Sequence, residues 1–319
     1  MKNLKDFREQ WERTNQKVRN GYTLAAVHHP LNASIGYDNN LNKNLRIFSK
    51  YKTKIIESSS SVEVKQIQQD DKQWILNITL INEPDSWVFI SMCHDLLDCS
   101  KNADNEFEAF KLLEERYNQW KNLFNPKKEK ILTDKEKIGL IGELLFLRHQ
   151  IIDVHRPIEE ALSGWFGTLG EHQDFAYNEK WYEIKTTAIS PATKITISSL
   201  EQLSRPDSGE LAVYQLSKVS GIESQNFNIN NFTLNQLVRE VSILVDSSIS
   251  GKLKFYECLK NINYSETDDY DNVSYKLLEV NHYDINDTFP RLKKENLPKA
   301  IEIASYSLHL NEIEKWKLD

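Results

Sequence analysis

The sequence predicts an α/β (α+β) chain in two parts: an N-terminal β-rich region that ends in a helix, and a second region in which helices flank a mixed sheet. Three observations carry this. Between Tyr22 and Met92 the apolar residues alternate with period two in short segments parted by polar turns. A helical stripe, Phe110, Leu113, Tyr117, Trp120 and Phe124, then stops at Asn125-Pro126 and a lysine-rich run. Beyond it the pattern reads helix, three strands, short helix, strand. The expected domains are therefore 1–126 and 127–319.

In order, Leu4, Phe7 and Trp11 have helical spacing and predict a docked terminal helix. Strands are expected over 46–50, 54–57, 62–67, 74–81 and 87–92. In the second part Thr133 and Glu136 form a capping-box pair that opens a helix through Ile138, Ile141, Leu144 and Leu145. A further helix is expected from Pro157. Strands follow over 172–177, 181–187 and 194–198, then a short helix over 199–203 and a strand over 211–216. Thr233 caps another helix through Leu237, Val238, Val241 and Val245. The C-terminal part reads as strands over 274–280 and 304–310 with a short helix over 298–303.

Composition excludes several classes. Of 319 residues, 39% are hydrophobic and 27% charged, which suits a packed core rather than a disordered chain. Three cysteines without a CxxC pair argue against a disulfide scaffold or a cysteine zinc site, and a reducing compartment fits. His28-His29, the Cys93-His94 pair with Cys99, and the acidic Asp268, Asp269 and Asp271 all lack the spacing of a metal site. There is no GxxxxGK[ST] phosphate loop. The longest apolar run, 138–147, is too short to span a bilayer, and the first residues lack an apolar signal core. A cytoplasmic protein with no membrane partner is expected. The formal net charge is −7, with +2 over residues 1–130 and −9 over the remainder. Binding to nucleic acid through charge alone is thereby excluded, so a local basic surface, a metal or a partner would be required.

The chemistry concentrates in Gly170-Glu171-His172-Gln173-Asp174-Phe175 and Trp181-Tyr182-Glu183-Ile184-Lys185-Thr186-Thr187. Strand alternation puts Glu183 and Lys185 on one face, and a turn over 178–180 brings Asp174 beside Glu183. Two carboxylates and an ammonium then meet at a sheet edge, a donor set that suits Mg²⁺ (or Mn²⁺) and phosphoryl chemistry. Glu143 lies within an apolar helix and needs a partner; Arg148 is the rival to a role in this site. His172, two residues before Asp174, shares its side if the strand is regular and is a candidate phosphate contact. Trp165 and Trp181 read as core or rim aromatics.

Gln173-Asp174, a spacer of eight residues and Glu183-Ile184-Lys185 resemble the core motif of the PD-(D/E)XK nuclease superfamily. Gly142-Glu143-Leu144-Leu145-Phe146-Leu147, Trp165-Phe166-Gly167, Ile197-Ser198-Ser199-Leu200-Glu201-Gln202-Leu203 and Phe289-Pro290-Arg291-Leu292 look more closely like a bacterial group known as PD-(D/E)XK motif proteins, typically encoded beside phage-defence genes. The resemblance is strongest over 130–220. It implies a restriction-endonuclease-like fold and a Mg²⁺-dependent DNA endonuclease, with a DNA substrate, protein partners in a defence system and homodimerisation as expected associations. Asp174 and Glu183 would be metal ligands with the Ile184 carbonyl, Lys185 would orient water, and Glu143 would reach the metal through water or hold Lys185. The position before Asp174, often proline in the superfamily, is Gln173. Some members carry Gln-x-x-x-Tyr; here Gln202 is followed at that offset by Pro206, and Gln202 is kept as a candidate substrate contact. The rival class is a catalytically silent scaffold that retains the fold.

Overall fold

The computed structural model describes residues 3–14, 21–53, 56–70, 72–124, 131–178, 180–188, 193–206, 208–219 and 227–318. The chain divides into two compact units, Met1–Glu129 and Lys130–Asp319. The sequence boundary at Asn125-Pro126, the lysine run after it and the first half of the strand expected over 54–57 lie outside the described residues.

The first unit opens with α1 (Leu4–Arg13), capped by Asn3, whose side chain accepts the Asp6 N–H at 2.9 Å. A five-stranded antiparallel sheet follows: β1 (Tyr22–Leu24), β2 (Asn32–Tyr37), β3 (Lys43–Ser49), β4 (Val62–Gln68) and β5 (Trp74–Leu80), in the order β1-β2-β3-β5-β4. Ile35, Leu45, Ile78 and Val64 are register partners across four strands. That row faces a core in which Trp11 meets Tyr37 and Phe89 edge-on. Residues 87–92, expected as a strand, belong to the helix α2 (Ser86–Ser100). Trp87, Val88, Phe89 and Ile90 suit either element over so short a window. Burial is continuous from Ser91 to Leu97, and eleven of the fifteen residues of α2 are buried, so the segment needs a helix's length and all-round burial. The expected helix stands as α3 (Glu106–Lys121), held to α2 where Arg116 and Trp120 both donate to Asp95 Oδ2, at 3.0 and 2.8 Å.

The second unit opens with α4 (Asp134–Ile152), and its Thr133–Glu136 capping box is formed as expected. Next come α5 (Ile158–Ser163), β6 (Phe175–Tyr177), β7 (Lys180–Thr187), β8 (Lys194–Ile197) and β9 (Ser208–Val219). The chain continues through α6 (Leu234–Leu244), α7 (Ile249–Asn261), β10 (Ser274–Ile285) and β11 (Tyr306–His309). The central sheet has the order β10-β9-β7-β6, with β7 and β9 parallel and the outer pairs antiparallel; β8 and β11 form a separate ribbon. The unit is thus a mixed sheet with helices. The helix expected over 298–303 is absent: the chain there makes only turns, because Ile301 and Ile303 stay exposed and a short helix without a buried face does not hold. Helix α7, unforeseen, buries Phe255, Tyr256 and Leu259.

The placement of α4 on β7 controls the site. Tyr182, Ile184 and Thr186 face the helix, and the Phe146 and Tyr182 rings lie 5.0 Å apart. Gly142 permits this approach: a Cβ there would stand 1.8 Å from Thr186 Oγ1 and 3.3 Å from Ile184 Cγ2. Gly142→Ala should therefore lower the unfolding free energy by about 1–3 kcal/mol, the usual cost of overpacking, as measured by urea denaturation.

Candidate active site

On the face of β7 opposite α4 stand Trp181, Glu183 and Lys185, in the two-residue period of a strand. Trp181 anchors a core cluster with Leu211, Val213, Ile195 and Ile197. Glu183 pairs in register with Leu211 and Lys185 with Val213, so the carboxylate is placed over apolar side chains and is wholly buried. Lys185 Nζ donates to Glu183 Oε1 at 2.6 Å. Glu183 Oε2 is buried without a hydrogen-bond partner among the described residues. Burial, with Asp174 next, holds the Glu183 carboxyl well above the ordinary glutamate range, against the pull of Lys185.

Asp174 sits immediately before β6 rather than within it. Its carbonyl accepts the Phe166 and Gly167 N–H groups, each at 2.9 Å, and this ends the strand ladder at Phe175. The side chain turns to β7 instead, where Asp174 Oδ2 accepts the Ile184 N–H at 2.7 Å. In an extended strand the N–H and C=O of one residue leave on the same side, so the Ile184 carbonyl also faces the edge where Asp174 lies. Burial raises the Asp174 carboxyl, opposed by Lys185 and the Ile184 N–H.

Glu143 arrives from α4. Its partner is Trp165, whose Nε1–H donates to Glu143 Oε2 at 2.6 Å; Arg148 pairs with Glu240 instead, at 3.4 Å. Trp165 is fully buried, stacked on Phe175 at 6.0 Å and Phe255 at 6.3 Å. Burial foremost, then the Asp174 charge, pushes the Glu143 carboxyl up to about 8, while the Trp165 bond and Lys185 act against it. Gly167 leaves the space between the acids open: a Cβ there would stand 3.0 Å from both Asp174 Oδ1 and Glu143 Oε2. These two oxygens therefore lie within twice that distance of each other.

Gln202 joins the site as a clamp on Lys185. Its Oε1 accepts Lys185 Nζ at 3.2 Å and the Ser198 N–H at 2.7 Å. His172 does not join by strand alternation, because residues 172–174 form a bend; its imidazole is exposed and its charged neighbour is Glu201. The residues that sequence reasoning left without a role are Trp165 and Gly167. Their signal was the Trp165-Phe166-Gly167 segment, which carries no titratable group and gains its meaning only from what it touches.

As the side chains stand, no group of three or more His, Cys, Asp or Glu among the described residues is set to hold a metal ion. The reason is local: Asp174 Oδ2, Glu183 Oε1 and Glu143 Oε2 each accept a protein N–H. The donor chemistry nonetheless fits a hard divalent cation. It offers three carboxyls, one buried Glu183 oxygen without a hydrogen-bond partner among the described residues and, at Gly167, a gap that a Cβ would fill.

A carboxyl raised on folding stabilises the protein below its ordinary pKa and loses that contribution as pH rises through the raised value. For Glu143 the window runs from the ordinary 4.5 to about 8, and the raised Asp174 and Glu183 act in the same direction. In metal-free buffer the unfolding free energy should fall across this window, and Glu143→Gln should flatten the slope by roughly 1 kcal/mol per pH unit. Urea denaturation at several pH values measures it; an unaltered slope would assign the titration elsewhere.

Among comparisons with known proteins, a family model described as "Putative PD-(D/E)XK family member, (DUF4420)" matches residues 7–311. No curated protein and no solved structure matches the chain.

Proposed function

For a chain that belongs to the PD-(D/E)XK family, we propose the activity of a Mg²⁺- or Mn²⁺-dependent DNA endonuclease acting in defence against foreign DNA. One observation carries the reading: a buried glutamate bonded to the lysine two residues along the same strand, with Asp174 bonded to the amide between them. A polar strand face that served only solubility would be solvated, whereas here Glu183 is wholly buried.

Asp174 and Glu183 would hold the cation, with the Ile184 carbonyl as a third oxygen and Glu143 completing the acid set. When bound, the cation would supply Lewis-acid polarisation of a phosphate and a more acidic water. Lys185 Nζ, fixed by Glu183 and Gln202, would orient the attacking water and offset charge developing on the phosphorus oxygens. Trp165 would keep Glu143 turned toward the open space at Gly167. His172, exposed on the bend before Asp174, would meet a phosphate further along the strand. A cytoplasmic setting, a homodimer and protein partners belong to the same proposal.

The net −9 after residue 130 favours a second reading, a scaffold subunit that retains the fold without cleavage. No helix among the described residues is long and apolar enough to cross a membrane.

The decisive experiment incubates the purified full chain with plasmid, linear DNA and RNA in Mg²⁺, Mn²⁺ or EDTA. Cleavage should require the cation, and Lys185→Ala should lower its rate by about 10²–10³ while the protein still folds. In cells carrying the neighbouring genes, full phage protection by Lys185→Ala would reject the catalytic reading in favour of the scaffold. Independently, millimolar Mg²⁺ or Mn²⁺ should raise the melting temperature of the wild type by mass action, and Asp174→Asn should reduce that rise. Identical melting of the wild type with and without divalent ions would remove the metal site.

A further inference from the structure

The Phe289-Pro290-Arg291-Leu292 segment has no role in the site as described so far, yet Arg291 is a cation with only 7% of its side chain exposed. Its nearest carboxylate, Asp287, is 3.9 Å away and almost fully exposed, too distant and too hydrated to explain the burial. Its Nε is buried without a hydrogen-bond partner among the described residues. Among the described residues, the close bond its guanidinium makes is from Nη1 to the Leu203 carbonyl. Phe289 fixes this reach: it is buried in the core beside Trp316, and Arg291 follows two residues later with its N–H bonded to the Phe289 carbonyl at 2.8 Å.

Leu203 ends the single turn Glu201–Leu203, and each residue of that turn is tied to something different. The Glu201 carbonyl accepts Gln173 Nε2 at 2.8 Å, next to Asp174. Gln202 holds Lys185 and the Ser198 N–H. Leu203 is buried in the core cluster and takes the Arg291 bond. A three-residue turn has little hydrogen bonding of its own, so its position is set by these outside ties.

We infer that Arg291 is a positioning residue of the candidate site: its guanidinium locks the Glu201–Leu203 turn through the Leu203 carbonyl, and the locked turn holds the Lys185 ammonium in place through Gln202. The inference rests on the proposed role of Lys185 only for its catalytic meaning; the mechanical link stands on its own. A charge-assisted bond to a carbonyl outweighs a neutral one, which accounts for an arginine buried where no close acid balances it.

The test reads Lys185 directly. The full chain is treated with limiting acetic anhydride and acetylation of each lysine is followed by peptide mass spectrometry. Gln202→Ala and Arg291→Met should each raise Lys185 labelling roughly tenfold, the population change expected on losing such a bond. The double variant should exceed neither single one, because both cut the same chain of contacts. Arg291→Lys, which keeps a donor in reach of Leu203, should restore the wild-type rate. Lys180, bonded to Glu210 at the other end of the strand, serves as the internal control. Arg291→Gln, a milder truncation, gives the same reading if Arg291→Met does not fold. Unaltered Lys185 labelling in these folded variants would overturn the inference, as would an equal rise at Lys180, which marks general loosening. If the chain cleaves DNA, Gln202→Ala and Arg291→Met should lower kcat by about 10- to 100-fold with little change in KM, and Arg291→Lys should not. If it does not cleave, the labelling pattern still decides the role of Arg291.

Discussion

One ammonium facing a buried glutamate and two half-buried carboxyls is the constraint around which the second unit is built. Lys185 touches Glu183 directly, while Asp174 and Glu143 lie close enough to feel its charge. A single cation cannot neutralise three acids, and burial penalises each ionised form. The remaining stabilisation comes from neutral donors: the Ile184 N–H for Asp174 and the Trp165 indole for Glu143. Even so, the Glu143 carboxyl stays raised to about 8 and one Glu183 oxygen finds no hydrogen bond among the described residues. Such residual imbalance is more frequent at functional sites than elsewhere in a protein.

The supporting fold follows from holding these groups at one sheet edge. Strand β7 must bury Trp181 and Glu183 on one face while presenting Tyr182, Ile184 and Thr186 to α4 on the other. That two-sided burial requires a helix at close range, which Gly142 allows, and a parallel neighbour, β9, whose Leu211 and Val213 continue the apolar floor. The strand ladder at β6 is interrupted at Asp174 because its carbonyl takes two amides from Phe166 and Gly167. The same interruption frees the Asp174 side chain to reach across to β7. Stability and site geometry thus draw on the same contacts.

The first unit shows where local reading fails. Residues 87–92 carry aromatic and β-branched side chains, and a six-residue window does not separate strand from helix. The burial of eleven residues along the fifteen of α2 decides it. Conversely, Leu4, Phe7 and Trp11, the Thr133–Glu136 cap and the Thr233 cap are local signals, and each is found in the structure as read. The Cys93-His94 pair is buried in α2, with His94 edge-on to Phe7, in keeping with a packing role.

By itself the sequence determined the class of the second unit, the strand that carries Glu183 and Lys185, and the approach of Asp174 to Glu183 across a short turn. Those are matters of strand period, helical spacing and motif, all of which act over a few residues. Only the tertiary structure decided who partners whom. It gave Glu143 to Trp165 and not to Arg148, turned Gln202 onto Lys185, ended β6 short of His172, and brought Arg291 across 88 positions to the Leu203 carbonyl. These pairings join segments far apart in the chain, and each is settled by which buried polar group lacks a nearer donor, a quantity that no local pattern contains.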